Sequence, residues 1–323
     1  MHILVLLADE PVRSLPLWAA FTDAQNAIPG LKISVLGSED MIACIKVHPA
    51  VTGSLVLDAH GFNQPGWLPR GWRARRNLKE AYAEFSPLPN LLLDPFGTRV
   101  SRVVARSMPG RRVGVANMRD AQSDRVYSSV FPLPSSLHPL QALRVFFAAA
   151  LGYSLHDLVP NYGLVNVGEF LQPKRLVEAD QQAMNGPIDL VVDWEALTWD
   201  VAQRQQCRAL LAMTDLRVAY LDTSASTPAA KRLRLHWSQI STANYVLTGL
   251  NATAWLAAAL GRPGVCLCPE GKAVAEGVVS TRWALNKMIN IDQSPFNQPQ
   301  VAAQSIIRIL DRQRINLLNN NKV

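Results

Sequence analysis

The 323-residue chain is 49% hydrophobic and 18% charged, with a net charge of +7. That balance excludes a disordered chain, and the length suits two well-buried globular domains. Scattered cysteines (Cys44, Cys207, Cys266, Cys268) read as buried free thiols in a reducing, cytoplasmic setting, and no apolar run has the length of a membrane span.

The first predicted strand, Ile3–Leu7, is continuously apolar, as expected of a strand buried on both faces of a parallel sheet. The acids Asp9 and Glu10 follow it closely, so the N-terminus reads as a buried strand and not as a signal peptide. A helix is expected over Leu15–Ala27, closed by Pro29-Gly30. Strands follow at Lys32–Leu36, Leu55–Leu57, Leu91–Leu93 and Val113–Val115, with helices at Arg75–Phe85, Arg99–Met108 and Leu140–Leu151, the last ended by Gly152. This alternation implies a doubly wound α/β domain over residues 1–157. Asp58–Gly71, rich in Gly, Pro and aromatics, reads as a long loop, and long loops in compact domains are usually functional.

From His156 to Met184 the periodicity weakens, as in an interdomain linker. A second α/β domain, 158–300, restarts with a strand at Ile188–Val192, a helix at Val201–Met213 and a strand at Leu216–Leu221. Asn244–Gly271 then reads as strand (Tyr245–Leu247), turn with Gly249, Ala-rich helix (Ala252–Leu260), Gly-Arg-Pro-Gly turn and strand (Val265–Leu267). Such a unit sets a helix N-terminus at the carboxyl edge of a parallel sheet, where backbone N–H groups and the helix dipole favour a diphosphate. Its candidate donor-binding residues are Thr248, Gly249, Leu250, Asn251, Ala252 and Thr253, none of them charged. In a cytoplasmic protein the sequon Asn251-Ala252-Thr253 is incidental. A helix and tail, 301–323, close the chain, and two such domains place the expected site in the cleft between them.

The charge is local. Lys and Arg exceed Asp and Glu by seven between Arg70 and Arg125, which equals the +7 of the whole chain. A basic surface confined to one domain calls for a polyanionic partner: nucleic acid, anionic lipid, or a substrate bearing phosphates and carboxylates. A solvated basic helix face is the plainer alternative.

Several segments resemble, in the same order, the lipopolysaccharide heptosyltransferases of glycosyltransferase family nine. They are Leu15–Val35 (LPLWAAFTDAQNAIPGLKISV), His48-Pro49-Ala50-Val51, the basic aromatic run Arg70–Arg76 (RGWRARR), Asp94-Pro95-Phe96-Gly97 with Ser101, His138 through Arg144 to Ser154, and Leu256–Pro263 (LAAALGRP). The resemblance spans almost the whole chain and is strongest up to Tyr153. It implies the GT-B fold, two Rossmann-like α/β domains facing a cleft. It also implies metal-independent, inverting transfer of heptose from ADP-heptose to the Kdo sugar of the lipid A inner core.

Such chemistry needs a carboxylate to deprotonate the acceptor and positive charge for the leaving diphosphate. Counting back from Leu15-Pro16, the resemblance puts the base at Glu10, with Asp9 as alternate; otherwise Glu10 is a solvated acid at a strand end. It assigns Arg70, Arg73, Arg75, Arg76, Arg119 and Asp94 to the anionic acceptor, and arginine's planar fork suits phosphate and carboxylate. Trp67 and Trp72 are placed to stack on sugar or rest on lipid.

The donor side departs from the family's Asp-Thr-Gly-x-x-His motif. One register puts Leu250 at the aspartate and Trp255 at the histidine; the other keeps Thr248-Gly249 but puts Leu247 at the acid. The family's lysine after the first strand of the second domain has no counterpart in Val192–Trp199, which instead carries Asp193 and Glu195. Trp194, Trp199 and Trp255 are expected to pack the second domain.

Two readings remain at this level. One is an active transferase with a nucleotide-sugar co-substrate and no other cofactor or metal, peripheral at the inner membrane. The other is an inactive GT-B scaffold that binds an anionic glycolipid or a partner glycosyltransferase chain. No recognition motif accompanies the basic run, which argues against nucleic acid.

Overall fold

The computed structural model describes residues 1–7, 11–116, 126–133, 137, 139–156, 160–164, 188–194, 199–221, 229–249, 251–268 and 287–290, with 304, 307, 308 and 311. The chain divides into two compact units: Met1–Val167 with Pro228–Ala230, and Gly168–Thr227 with Lys231–Val323.

The first unit alternates strand and helix: β1 (His2–Leu6), α1 (Pro11–Ser14), α2 (Leu17–Ala27), β2 (Lys32–Gly37), α3 (Glu39–Ile45), β3 (Val51–Val56), α4 (Ala59–Phe62), α5 (Pro69–Ala83), β4 (Leu91–Asp94), α6 (Arg99–Ser107), β5 (Arg111–Ala116), β6 (Ser129–Pro132) and α7 (Pro139–Leu151). Its strands form one parallel sheet in the order β3-β2-β1-β4-β5-β6. The chain winds outward from β1 on one side and returns to β4 on the other, so the switch point lies between the carboxyl ends of β1 and β4.

β1 is buried along its whole length because helices cover both faces of the sheet. Its alternate residues Leu4 and Leu6 join Leu78 and Tyr82 of α5 and Val104 and Ala105 of α6. Phe21 of α2 and Phe147 of α7 meet ring to ring, with centroids 5.8 Å apart. Between those two helices the buried Arg144 guanidinium donates from Nε to Asp23 Oδ2 at 2.6 Å and from Nη2 to Oδ1 at 3.3 Å.

The second unit contains β7 (Ile188–Val192), α8 (Val201–Ala212), β8 (Val218–Tyr220), α9 (Ala229–Thr242), β9 (Ala243–Gly249), α10 (Ala252–Ala259), β10 (Gly264–Cys268) and β11 (Lys287–Asn290). Its parallel sheet runs β11-β10-β9-β7-β8, with the switch point between β7 and β9. The α8 entry is a capping box, with Asp200 accepting from the Gln203 N–H and Gln203 accepting from the Asp200 N–H. Trp194 and Trp199 are buried against Leu190, Val192, Leu247 and Leu211, and Trp255 is buried in α10, so all three pack this unit as expected.

Several boundaries differ from the sequence reading. β3 begins at Val51, four residues before the expected Leu55, and α3, β6, α9 and β11 were not anticipated. Helix α5 begins at Pro69 and not at Arg75. Leu68 is extended at the N-cap and Pro69 opens the helix, where its missing N–H costs nothing and its fixed φ suits the first turn. The expected loop Asp58–Gly71 is therefore shorter and holds the single turn α4. Most of the expected linker lies outside the described residues, and of the closing helix only residues 304, 307, 308 and 311 are described, all helical. Cys44, Cys207 and Cys266 are buried free thiols, and burial pushes the Cys207 thiol up to about 12. Among the described residues no helix is long and apolar enough to cross a membrane.

Candidate functional site

The carboxyl ends of β7 and β9 converge on the N-terminus of α10, which is where an open α/β sheet binds its ligands. The Asp193 N–H donates to the Leu247 carbonyl at 2.8 Å, so the residue after β7 remains in register with β9. The Asp193 side chain is wholly buried and accepts from Asn251 Nδ2 at 2.7 Å.

Asn251 is also the N-cap of α10. Its carbonyl oxygen Oδ1 accepts from the N–H groups of Thr253 (3.0 Å) and Ala254 (3.2 Å) and from the Thr248 hydroxyl (3.1 Å). These are the free backbone donors that a helix N-terminus offers an anion, and here the chain's own amide takes two of them. Thr248 and Thr253 are buried, and the Thr253 hydroxyl lies 3.2 Å from Nδ1 of the buried His236 on α9. Gly249 ends β9 and Ala252 opens α10. The structure thus brings together every expected donor residue that it describes; Leu250 lies outside the described residues.

Two participants escaped the sequence reading. His236 belongs to a helix that was not anticipated, although Trp237 and Ile240 at helical spacing marked it. Asp193 stood out in the sequence only as an acid in the stretch that lacks the family's lysine; its pairing with Asn251 joins positions 58 residues apart, which no local pattern displays.

In the first unit α5 carries Arg70, Arg73, Arg75 and Arg76, so the basic run is helical and not a loop. Gly71, Ala74, Leu78 and Tyr82 bury one side of that helix and leave Trp72, Arg73, Arg76 and Lys79 exposed. Arg70 lies 3.5 Å from Asp58, and both side chains are largely exposed, so the pair adds little stability. The Asp58 carboxyl is held below its ordinary value, chiefly by the N–H of Gly61. Arg76 donates to Glu80 at 2.7 Å and covers the Trp72 ring at 5.3 Å.

Arg75 has turned back on its own chain. Its guanidinium donates to the carbonyls of Gly71 (2.8 Å) and Gln64 (3.4 Å) and lies over Phe62 at 5.3 Å. Among the described residues Arg73 has no ion-pair or hydrogen-bond partner, which leaves its fork open to a ligand.

Asp94, the last residue of β4, borders the switch point of the first sheet but is wholly buried. Its Oδ1 accepts from the N–H groups of Phe96 (3.1 Å) and Gly97 (3.0 Å), and its Oδ2 accepts from the Tyr127 hydroxyl. Burial and then the Asp94 charge hold that hydroxyl protonated well above its ordinary range. Asp94 therefore shapes the turn into α6, in which Gly97 adopts φ 56°, a conformation that favours glycine. Asp9, Glu10 and Arg119 lie outside the described residues. No group of three or more His, Cys, Asp or Glu among the described residues is arranged to hold a metal ion.

Two parallel-sheet units of these orders have the architecture of the GT-B fold class, and solved structures agree on the fold. The E. coli heptosyltransferase WaaC with ADP superposes at TM-score 0.75, covering 97% of this chain and 99% of that one at 19% identity. E. coli ADP-heptose lps heptosyltransferase II gives 0.67, covering 97% and 100% at 13% identity. A glycosyl transferase family 9 protein from Veillonella parvula also gives 0.67, covering 90% and 85% at 10% identity.

In sequence, the chain is 26% identical over 208 residues to lipopolysaccharide heptosyltransferase 1 of Pseudomonas aeruginosa, a match spanning 61% of this chain. The matched region spans about half of that curated relative, 54% of its length. No protein-family model matches the chain. The chain is thus similar in sequence to a lipopolysaccharide heptosyltransferase and in fold to heptosyltransferases and a glycosyl transferase of family 9.

Proposed function

We propose that this chain is a glycosyltransferase of the heptosyltransferase type. In this reading it transfers a sugar from a nucleotide-sugar donor, of the ADP-heptose class, to the Kdo–lipid A inner core of lipopolysaccharide, with inversion and without a metal. The observation that carries the reading is the sequence relation to lipopolysaccharide heptosyltransferase 1, which the GT-B architecture of both units supports.

The acceptor's phosphates and carboxylates meet the exposed side of α5, with Arg73 as the open fork and Arg70 and Arg76 beside it. Glu10, or Asp9 beside it, deprotonates the acceptor hydroxyl from the segment that follows β1. The donor takes the β9–α10 turn. The enzyme works at the inner-membrane surface that bears its acceptor, on the cytoplasmic side.

Calorimetric titration of the full chain with ADP-heptose tests the reading. Binding is expected, with Glu10→Gln abolishing turnover while leaving donor affinity nearly intact. No heat at millimolar donor would sink the transferase reading.

A second reading is favoured by the Asn251–Asp193 pair. With two N–H groups of α10 already capped and a buried carboxylate 2.7 Å from the cap, the donor end lacks the positive character a leaving diphosphate needs. Loss of one such contact costs about 3 kcal/mol of transition-state stabilisation, roughly a hundredfold in rate. On this reading the chain holds an anionic glycolipid, or a partner glycosyltransferase, without transferring sugar. It predicts no binding of any nucleotide sugar in the same titration, with glycolipid binding retained.

A further inference from the structure

Trp67 is 82% exposed and Trp72 is 52% exposed, a high display of indole for a globular surface. The two residues stand at the entry of α5, Trp67 just before the N-cap Leu68 and Trp72 in the first turn. Side chains at these two positions commonly fold onto each other as a hydrophobic staple. Here both remain open to solvent.

The loop that carries Trp67 is fastened to the helix. Arg75 reaches back from α5 to the Gln64 carbonyl at 3.4 Å. Gly71 admits the Pro65 carbonyl so closely that a Cβ at position 71 would stand 2.3 Å from that oxygen. Trp67 is thus exposed on a segment tied down at Gln64 and Pro65, just before the helix begins at Pro69. The same side of α5 adds Arg73 and Lys79, neither with a described partner, and Arg76 stacked over Trp72.

Indoles set among cations suit the headgroup zone of a bilayer, where the ring is buried and its N–H stays wet, while the cations meet anionic lipid. A protein interface core would instead be depleted of lysine and of unpaired charge. We propose that Trp67 and Trp72, flanked by Arg73 and Lys79, form an interfacial anchor that seats the first unit on an anionic phospholipid surface. This assigns the contact element for the membrane-surface location proposed above and rests on that part of the reading; it needs neither donor binding nor turnover.

The test is co-sedimentation of the full chain with phosphatidylcholine vesicles containing phosphatidylglycerol, against vesicles of phosphatidylcholine alone, both free of glycolipid. Preferential binding to the anionic vesicles is expected. The double variant Trp67→Ser/Trp72→Ser should lose about tenfold or more of that binding, and Arg73→Gln/Lys79→Gln should lose the preference for anionic lipid by about tenfold. All four positions are exposed, and circular dichroism of each variant verifies that it is folded.

Failure of the unaltered chain to bind anionic vesicles overturns the proposal, as does unchanged binding by the folded tryptophan variant. A surface meant for sugar or for a protein partner would give one of those two results. Donor calorimetry reads the transferase assignment separately, so either conclusion can fail without the other.

Discussion

His48 shows how burial sets the chemistry of one side chain. It is 1% exposed, shares a 2.9 Å hydrogen bond with the Thr22 hydroxyl and accepts the Ala50 N–H on Nδ1 at 3.1 Å. Desolvation lowers its pKa to about 4, so the ring is neutral in the folded chain. The unfolded chain binds a proton near pH 6.5, so this contribution to stability is complete above that pH and is lost as pH falls from 6.5 towards 4. The loss amounts to about 3 kcal/mol. Urea midpoints measured from pH 7 to pH 4 should fall accordingly, and His48→Gln should flatten the fall; equal slopes would show that another group governs it.

Asn251 presents a different balance, since one amide both caps α10 and answers a buried acid. Asn251→Ala should cost about 2 kcal/mol in chemical denaturation. Asn251→Asp should cost more, because two carboxylates would then face each other. The composition of this turn was legible in the sequence, including its lack of charge. Its occupation by the chain itself was not, because Asp193 is distant in sequence.

At the level of elements, α2 and α7 are joined by the Arg144–Asp23 fork across 121 positions. Removing one member leaves a charge in an apolar layer, so Arg144→Ala should destabilise the chain by about 3–5 kcal/mol, and Arg144→Met/Asp23→Leu should recover most of it. Thermal melts of the single and double variants read this directly, and a double variant as unstable as the single one would refute the electrostatic account. Periodicity marked both of these helices but gave no sign of the ion pair between them.

α5 illustrates the other way a boundary is missed. Its start was written in Leu68-Pro69, yet the surrounding Gly, Pro and aromatic residues read as loop. Tertiary packing of Gly71 and Ala74 makes that turn helical. The shift has a functional consequence, because it sets Arg73 and Arg76 on a rigid surface and commits Arg75 to holding the loop.

For the whole molecule, the basic window Arg70–Arg125 lies within the first unit and should act as a field. Binding of a Kdo-bearing glycolipid should weaken as salt is raised and the screening length falls to about 8 Å. Arg73→Gln/Arg76→Gln should weaken it further at low salt. Affinity that did not respond to salt would remove electrostatics from acceptor binding. The sequence by itself determined the two-unit α/β architecture, because a strand buried on both faces and a helix with one apolar side write their periods into the chain. It also located the basic run and the uncharged turn before α10. Only the tertiary structure decided which of these groups remain available: Arg75 and Asp94 turned inward, Arg73 left open, and the N–H groups of α10 capped by Asn251 with Asp193 behind it. The reason is that hydrogen-bond satisfaction of buried polar groups pairs residues by position in space, and that pairing leaves no period in the sequence.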